Sequence, residues 1–333
     1  MVQMRLTLML PGALTPSALA TELAGALQAP ALGRIVARGA LAGDWSASDE
    51  VPAPDDHWLA REVFGIHGRA PTAPYAWAAL TGRRETTQEV WRADPIHIAL
   101  GRESLIVHSL HDSPLMETEA DQLLAAANEL CANAQCELRR AGSEWFMFTA
   151  QPWSLQPPPL TAMAGAPLPL PDSNSADALR WSRLHNTIQM RWHAHPVNEA
   201  REVRGLPIVN GLWLHGGGTW KPLSRMPWPR VHSSRPDLRG AAEAAGSQAG
   251  TDDTAPDSDA LLVWDDALRA CLNADWTAWL ASMANIDRRL AALPDAEFEF
   301  VLSGRYRLRQ WRARPVDRLK LWRNHSLAEV LAE

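Results

Sequence analysis

The stretch 181–220, WSRLHNTIQMRWHAHPVNEAREVRGLPIVNGLWLHGGGTW, constrains this chain more than any other. Leu184, Ile188 and Trp192 recur at helical spacing, so it opens as an amphipathic helix. A polar turn follows at His195-Pro196-Val197-Asn198, then Arg201, Arg204 and Gly205. The apolar run 206–214 reads as a buried strand that ends in a turn, Gly216-Gly217-Gly218. Helix, basic turn, strand and glycine turn form an α/β layout. Loops at the strand ends of such sheets are where ligands bind.

The totals set bounds on what surrounds this stretch. A chain of 333 residues can bury a full core, as one large domain or two modest ones. Its 46% hydrophobic and 21% charged residues mark it as globular. A net charge of −6 argues against a nucleic-acid partner. No segment reaches the about 18 apolar residues that would span a membrane. The opening MVQMRLTLML has no small-residue cleavage site, so it does not read as a signal peptide. Cys131, Cys136 and Cys271 match no metal or disulfide spacing, and a cytoplasmic location is expected. The 16 tryptophans read chiefly as core and interface packing.

Taken in order, 5–10 reads as a first strand and 19–27 and 32–40 as helices. Two hairpins, 96–108 and 135–149, flank an Ala- and Leu-rich helix at 117–131. The expected fold class is therefore α/β: a sheet sandwiched by helices and interrupted by a small α+β cap. Residues 1–92 form the first part of the core and 93–150 the cap. A proline-rich linker follows at 151–176, then the second part of the core at 177–333. Within that part, 230–260 is rich in Ala, Gly, Ser and Asp and reads as a mobile surface loop.

His195-Pro196-Val197-Asn198, Arg201, Gly205-Leu206-Pro207, Asn210 and Gly216-Gly217-Gly218 together resemble the late signature of archaeal-type cofactor-independent phosphoglycerate mutases. These belong to the alkaline phosphatase superfamily. Residues 29–39 (APALGRIVARG) look like that superfamily's early proline-leader helix. Ala93-Asp94-Pro95 and the whole layout resemble the RpfE-type regulatory proteins of proteobacteria still more closely.

The resemblance implies a mechanism with two divalent metals, held by Asp and His, and a Ser or Thr nucleophile between them. The metals lower the nucleophile's pKa and neutralise charge on the transferring phosphoryl group. This chain departs from that kit. Leu10-Pro11-Gly12 stands where a metal-binding Asp is expected, and Pro54, in Ala53-Pro54-Asp55-Asp56, where the nucleophile is expected. Proline has no hydroxyl to phosphorylate. Ser303-Gly304-Arg305-Tyr306 replaces a late Asp-His pair; Asp265 and Asp266 remain, with Cys271 where a His is expected. The expectation is a degenerate copy with no cofactor, no metal and no assigned catalytic residue.

Arg305, Arg307 and Arg309 share one face if their segment is extended. With Arg201, Arg204 and the glycine amides, they are candidates for a metal-free anion pocket. His195, Asn198, Asn210, His215, Gly216 and Gly217 complete the candidate ligand-binding set. The plainer reading of these arginines is surface ion pairs. His193 and His195 would point apart on a continuous helix, so a shared metal is not expected. No dinucleotide fingerprint, P-loop or nucleophile elbow is present. The functional expectation is a regulatory protein that binds a small anionic, phosphorylated metabolite or a protein partner. Two alternatives stay open: an active mutase or phosphatase with relocated ligands, and an interaction protein with an exposed tryptophan patch.

Overall fold

The computed structural model describes residues 4–46, 53–169, 175–251 and 256–333. The chain divides into two compact units, Met1–His67 with Leu223–Glu333, and Gly68–Pro222. The first unit opens with β1 (Arg5–Pro11), α1 (Ser17–Ala26), α2 (Pro30–Arg38), β2 (Ala40–Ser46) and α3 (Pro54–Glu62). The second contains α4 (Thr72–Thr81), β3 (Glu89–Leu100), β4 (Leu105–Ser109), α5 (Glu117–Cys131), β5 (Cys136–Ala141), β6 (Glu144–Thr149), α6 (Leu160–Met163), α7 (Ala176–His193), α8 (Pro196–Val203) and β7 (Gly211–Gly218). The first unit resumes with β8 (Arg230–Ser233), α9 (Pro236–Ala244), β9 (Gln248–Gly250), β10 (Ala260–Val263), α10 (Leu268–Leu272), α11 (Trp276–Ala291), β11 (Glu297–Ser303), β12 (Arg307–Ala313) and α12 (Leu327–Leu331).

The first unit is a seven-stranded sheet in the order β2-β12-β11-β1-β10-β8-β9. Strands β11, β1, β10, β8 and β9 run parallel, while β12 and β2 continue the edge antiparallel. β1 is central because it is apolar on both sides, as a strand covered on both faces must be. Leu6, Leu8 and Leu10 join a core built with α1, α2, α11 and α12. Trp279, Met283, Ile286 and Leu290 of α11 sit on one helical face and are all buried. Buried Asp287 of the same helix caps α2, accepting from Leu32 N at 2.7 Å and Ala31 N at 3.3 Å. On the opposite side of β1, Thr7 Oγ1 accepts from Trp228 Nε1 at 2.9 Å, and Trp58 packs on Trp228. The expected class, a helix-flanked α/β sheet interrupted by an α+β unit, is what the structure has.

Two expectations about boundaries are corrected. The interrupting unit is longer than 93–150, because β7, read as core, pairs antiparallel with β3 (Asp94↔Trp213, Ile96↔Gly211). Its sheet runs β4-β3-β6-β5, with β7 also on β3. The stretch read as a proline-rich linker is held to β4 over part of its length: Gly165 N donates to Val107 O at 2.8 Å and Leu168 N to Leu105 O at 2.7 Å. Residues 170–174 of that linker lie outside the described residues. Second, 230–260 is not a loop throughout but carries β8, α9 and β9. Its small residues pack closely instead of failing to pack: Leu238, Ala241 and Ala242 are buried. Residues 252–255 lie outside the described residues. Among the described residues, no helix is long and apolar enough to cross a membrane.

Candidate functional site

Eight of the ten expected ligand-binding residues fall in the second unit, and there they mostly hold the fold together. α7 stops at His193, and Pro196 starts α8 with His195 as its N-cap. His195 Nδ1 accepts from Val197 N at 3.2 Å, which removes one orphan amide of the helix start. Asn198 is 1% exposed; its amide bridges Trp192 O (2.8 Å), Val209 O (2.9 Å) and Val209 N (2.8 Å). Asn210 mimics a strand, binding Ile98 N at 2.6 Å and Ile98 O at 2.8 Å.

Arg201 is fully buried. Its Nε donates to Pro207 O at 2.8 Å, Nη2 to Ser113 O at 2.8 Å, and Nη1 to Glu119 at 3.0 Å. Arg204 closes on the other Glu119 oxygen. Burial pushes the Glu119 carboxyl up, but the Met116 amide and the two guanidinium groups bring it below its ordinary range. Arg201 is thus a clamp joining α8 to the start of α5, in place of the anion ligand expected of it. A buried guanidinium must have its donors satisfied, and this one spends them on the protein.

The glycine triplet is also corrected, from turn to strand. Gly216 has φ +62, and a Cβ there would lie 2.1 Å from Thr72 Oγ1; at Gly217 one would lie 2.4 Å from the Trp91 ring. Glycine is required by close packing, and no amide cradle is needed to explain it. His215 Nε2 meets Asp94 at 2.7 Å. Burial raises the Asp94 carboxyl, and the His215 hydrogen bond with the His215 and Arg92 charges more than offsets it.

The first unit gathers different chemistry at the carboxyl ends of its parallel strands, where open α/β sheets bind ligands. β8 runs out through Ser233 and Ser234 into Arg235, the N-cap of α9. Arg235 forks onto buried Asp237, with Nη2 at 2.7 Å and Nε at 3.3 Å. Burial disfavours its charge, yet Asp237, then Asp55 and Asp265, hold its proton more tightly than usual. Asp55 lies in the first turn of α3 and Asp265 just after β10. Ser234 Oγ is 3.4 Å from both Asp265 oxygens, and Arg239 Nη1 donates to Ser234 O at 2.6 Å. Asp266 instead pairs with Arg289 at 3.0 Å.

After β11 the chain turns through Ser303 and Gly304 to Arg305, whose carbonyl accepts from Ala53 N at 3.4 Å. Burial and the Glu333 charge push the nearby Cys271 thiol up to about 11, against the pull of Arg305. Arg307 is not part of this edge cluster. It forks onto Asp44 of β2 at 2.7 and 2.6 Å, the plainer ion-pair reading, and Arg309 lies 3.7 Å from the same carboxylate. A separate polar cleft of about 300 Å³ opens at the amino ends of β8 and β9, beside Arg225, Arg230 and Gln248.

No family model matches the sequence, and no curated protein does. Solved structures do. The PH0037 protein from Pyrococcus horikoshii is 15% identical with a TM-score of 0.57, over 98% of this chain and 92% of that one. The chain therefore shares the fold of that protein over almost its whole length. Also similar is a cofactor-independent phosphoglycerate mutase from Thermoplasma acidophilum, 12% identical with a TM-score of 0.46, over 100% of this chain and 95% of that one.

The strand ends do not fit the two-metal kit that the sequence resemblance implies. Pro11-Gly12 closes β1 and Ser303-Gly304 closes β11, so neither supplies a carboxylate. Asp55, Asp237 and Asp265 act on a guanidinium, and among the described residues no group of three or more His, Cys, Asp and Glu is arranged to hold a metal. Arg235, Asp237 and Arg239 were missed by sequence reasoning because they lie in the stretch taken for loop. A signal was available: Pro236 followed by Asp237 is a helix-start pattern.

Proposed function

We propose that this chain is a phosphoglycerate-mutase-like protein of the RpfE type that lacks metal-dependent phosphoryl transfer. It binds a small anionic, phosphorylated metabolite in a regulatory role, at the carboxyl ends of the first unit's sheet. The observation that supports this most is Arg235, a fixed cation acting on Asp55, Asp237 and Asp265. Carboxylates gathered at strand ends ordinarily attract a divalent ion. Here Arg235 offsets part of that charge; in this reading Arg239 and the Ser234 hydroxyl, now bonded to Ser234 O and Asp265, exchange those bonds for a phosphate, with Arg305 a further cation after β11.

Calorimetric titration of inorganic phosphate and 3-phosphoglycerate into the protein in EDTA tests the reading. Binding is expected without metal, weakened about tenfold, or about 1.4 kcal/mol, in Arg239→Ala and Arg305→Ala. Titrations unchanged in both variants would remove the anion site. Mutase or phosphatase turnover that depends on Mn, Mg or Zn would remove the metal-free half and favour the active-enzyme alternative.

A second reading, a protein-docking role, is favoured by Trp322, Leu319 and Leu321, which are 79%, 76% and 75% exposed. It does not involve most of the other tryptophans, since residues such as Trp145, Trp192 and Trp279 are core. Concentration-dependent self-association that Trp322→Ala abolishes would support it.

A further inference from the structure

Cys131 and Cys136 fit no sequence spacing for a disulfide, yet the second unit brings them together. Cys131 ends α5, Cys136 starts β5, and a single 3-10 turn, Ala132–Ala134, joins them. The Cys136 thiol donates to the Cys131 carbonyl at 3.6 Å, which sets it beside the Cys131 residue. The surrounding scaffold is tied on both sides. Asn128 of α5 binds Leu138 of β5 through both N and O, at 2.7 and 2.8 Å. Arg180 of α7 donates to Ala134 O at 2.6 Å and lies over the Trp153 ring. A disulfide needs its two Cα atoms within about 7 Å, which residues flanking one such tied turn can satisfy.

The two thiols differ in the way a reactive pair requires. Cys131 is 1% exposed, whereas Cys136 is half-buried and open to small reagents. Interaction with the Cys131 thiol lowers the Cys136 thiol, with the Arg180 charge helping, while interaction with Cys136 and burial push Cys131 up. The thiolate is the nucleophile, so Cys136 reacts first.

We propose that Cys136 and Cys131 form a modification site, a dithiol that hydrogen peroxide oxidises reversibly to a disulfide. In the first step the Cys136 sulfur attacks a peroxide oxygen. An S–O bond forms and the O–O bond breaks; the sulfur is oxidised to a sulfenic acid, the peroxide oxygen is reduced, and one water leaves. Cys131 sulfur then attacks Cys136 sulfur. An S–S bond forms, the S–O bond breaks, and the leaving hydroxide takes the Cys131 proton as a second water.

The test treats the full chain with hydrogen peroxide, then counts thiols under denaturing conditions and maps the peptides. Wild type should fall from three free thiols to one, yield a linked Cys131–Cys136 peptide, and recover three thiols with dithiothreitol. Cys131→Ser should stop at a Cys136 sulfenic acid that a 1,3-dicarbonyl reagent traps. Cys136→Ser should lose peroxide consumption by at least about tenfold, and Cys271→Ser should behave as wild type. Oxidation that begins at Cys271, or a wild type that keeps three thiols at doses that consume free cysteine, would overturn the proposal. The wild-type mapping decides the matter even if a variant fails to fold.

Discussion

Two arginine–aspartate/glutamate clusters, one in each unit, use the same chemical groups for different ends. In the second unit Arg201 and Glu119 are 0% and 7% exposed at their side chains, and backbone carbonyls accept from Nε and Nη2 of the guanidinium. In the first unit Arg235 is 25% exposed and stands at a strand end, where Asp55 and Asp265 bear on it by charge. Saturation and full burial make a clamp. Partial exposure at the mouth of a parallel sheet leaves groups that a solute can reach. Residue type alone does not distinguish the two cases; the number of donors already used, and the water left around them, does.

The comparison is sharpest at the buried clamp, where the largest effects are expected. Arg201→Ala empties a fully buried site and leaves Glu119 with Arg204 as its one remaining guanidinium partner, and should cost about 3–5 kcal/mol in chemical denaturation. A loss below about 1 kcal/mol would show that the clamp is not what joins α8 to α5. Its pH dependence follows from the depressed Glu119 carboxyl. That stability is fully present above the ordinary carboxyl value of 4.5 and is lost as pH falls through the lower folded value. Glu119→Gln should therefore flatten the acid limb of the stability curve, read from denaturant midpoints at a series of pH values.

Arg235→Ala removes a guanidinium that is only partly buried and should cost less, about 1–3 kcal/mol in chemical denaturation. It should also weaken phosphate binding in calorimetric titration, which Arg201→Ala should leave unchanged. Equal loss of stability in Arg201→Ala and Arg235→Ala would break the contrast between the clusters.

Gly217→Ala drives a methyl group into the Trp91 ring and should destabilise by about 1–3 kcal/mol with no effect on phosphate titrations. Loss of phosphate binding at unchanged stability would restore the glycine triplet as a ligand turn. The smallest effect is expected at Asp44, whose pair with Arg307 is about a third exposed on both sides. Asp44→Asn should change stability by no more than about 1 kcal/mol, and less at high salt.

Several elements are legible directly from residue spacing. Leu6, Leu8 and Leu10 mark a buried strand, Trp279, Met283, Ile286 and Leu290 a core helix, and Pro196 the break after His193. The hairpins around α5 are legible too, because turn residues interrupt β-branched and aromatic runs. The partner of β7 is not legible. An apolar run is equally content in either sheet, and only the register with β3 decides. β8, α9 and β9 escaped because small residues such as Ala241 and Ala242 carry little periodic signal while packing closely.

What the sequence by itself determined is the class of fold and the absence of carboxylates after β1 and β11, since both rest on local pattern and residue identity. Which arginine is a clamp and which faces the strand ends was decided by the tertiary structure. The availability of a guanidinium depends on how many of its donors are already bonded and how much water remains around it. Both are set by residues far away in the chain, as Arg201 with Ser113 and Glu119, and Arg235 with Asp55 and Asp265, demonstrate.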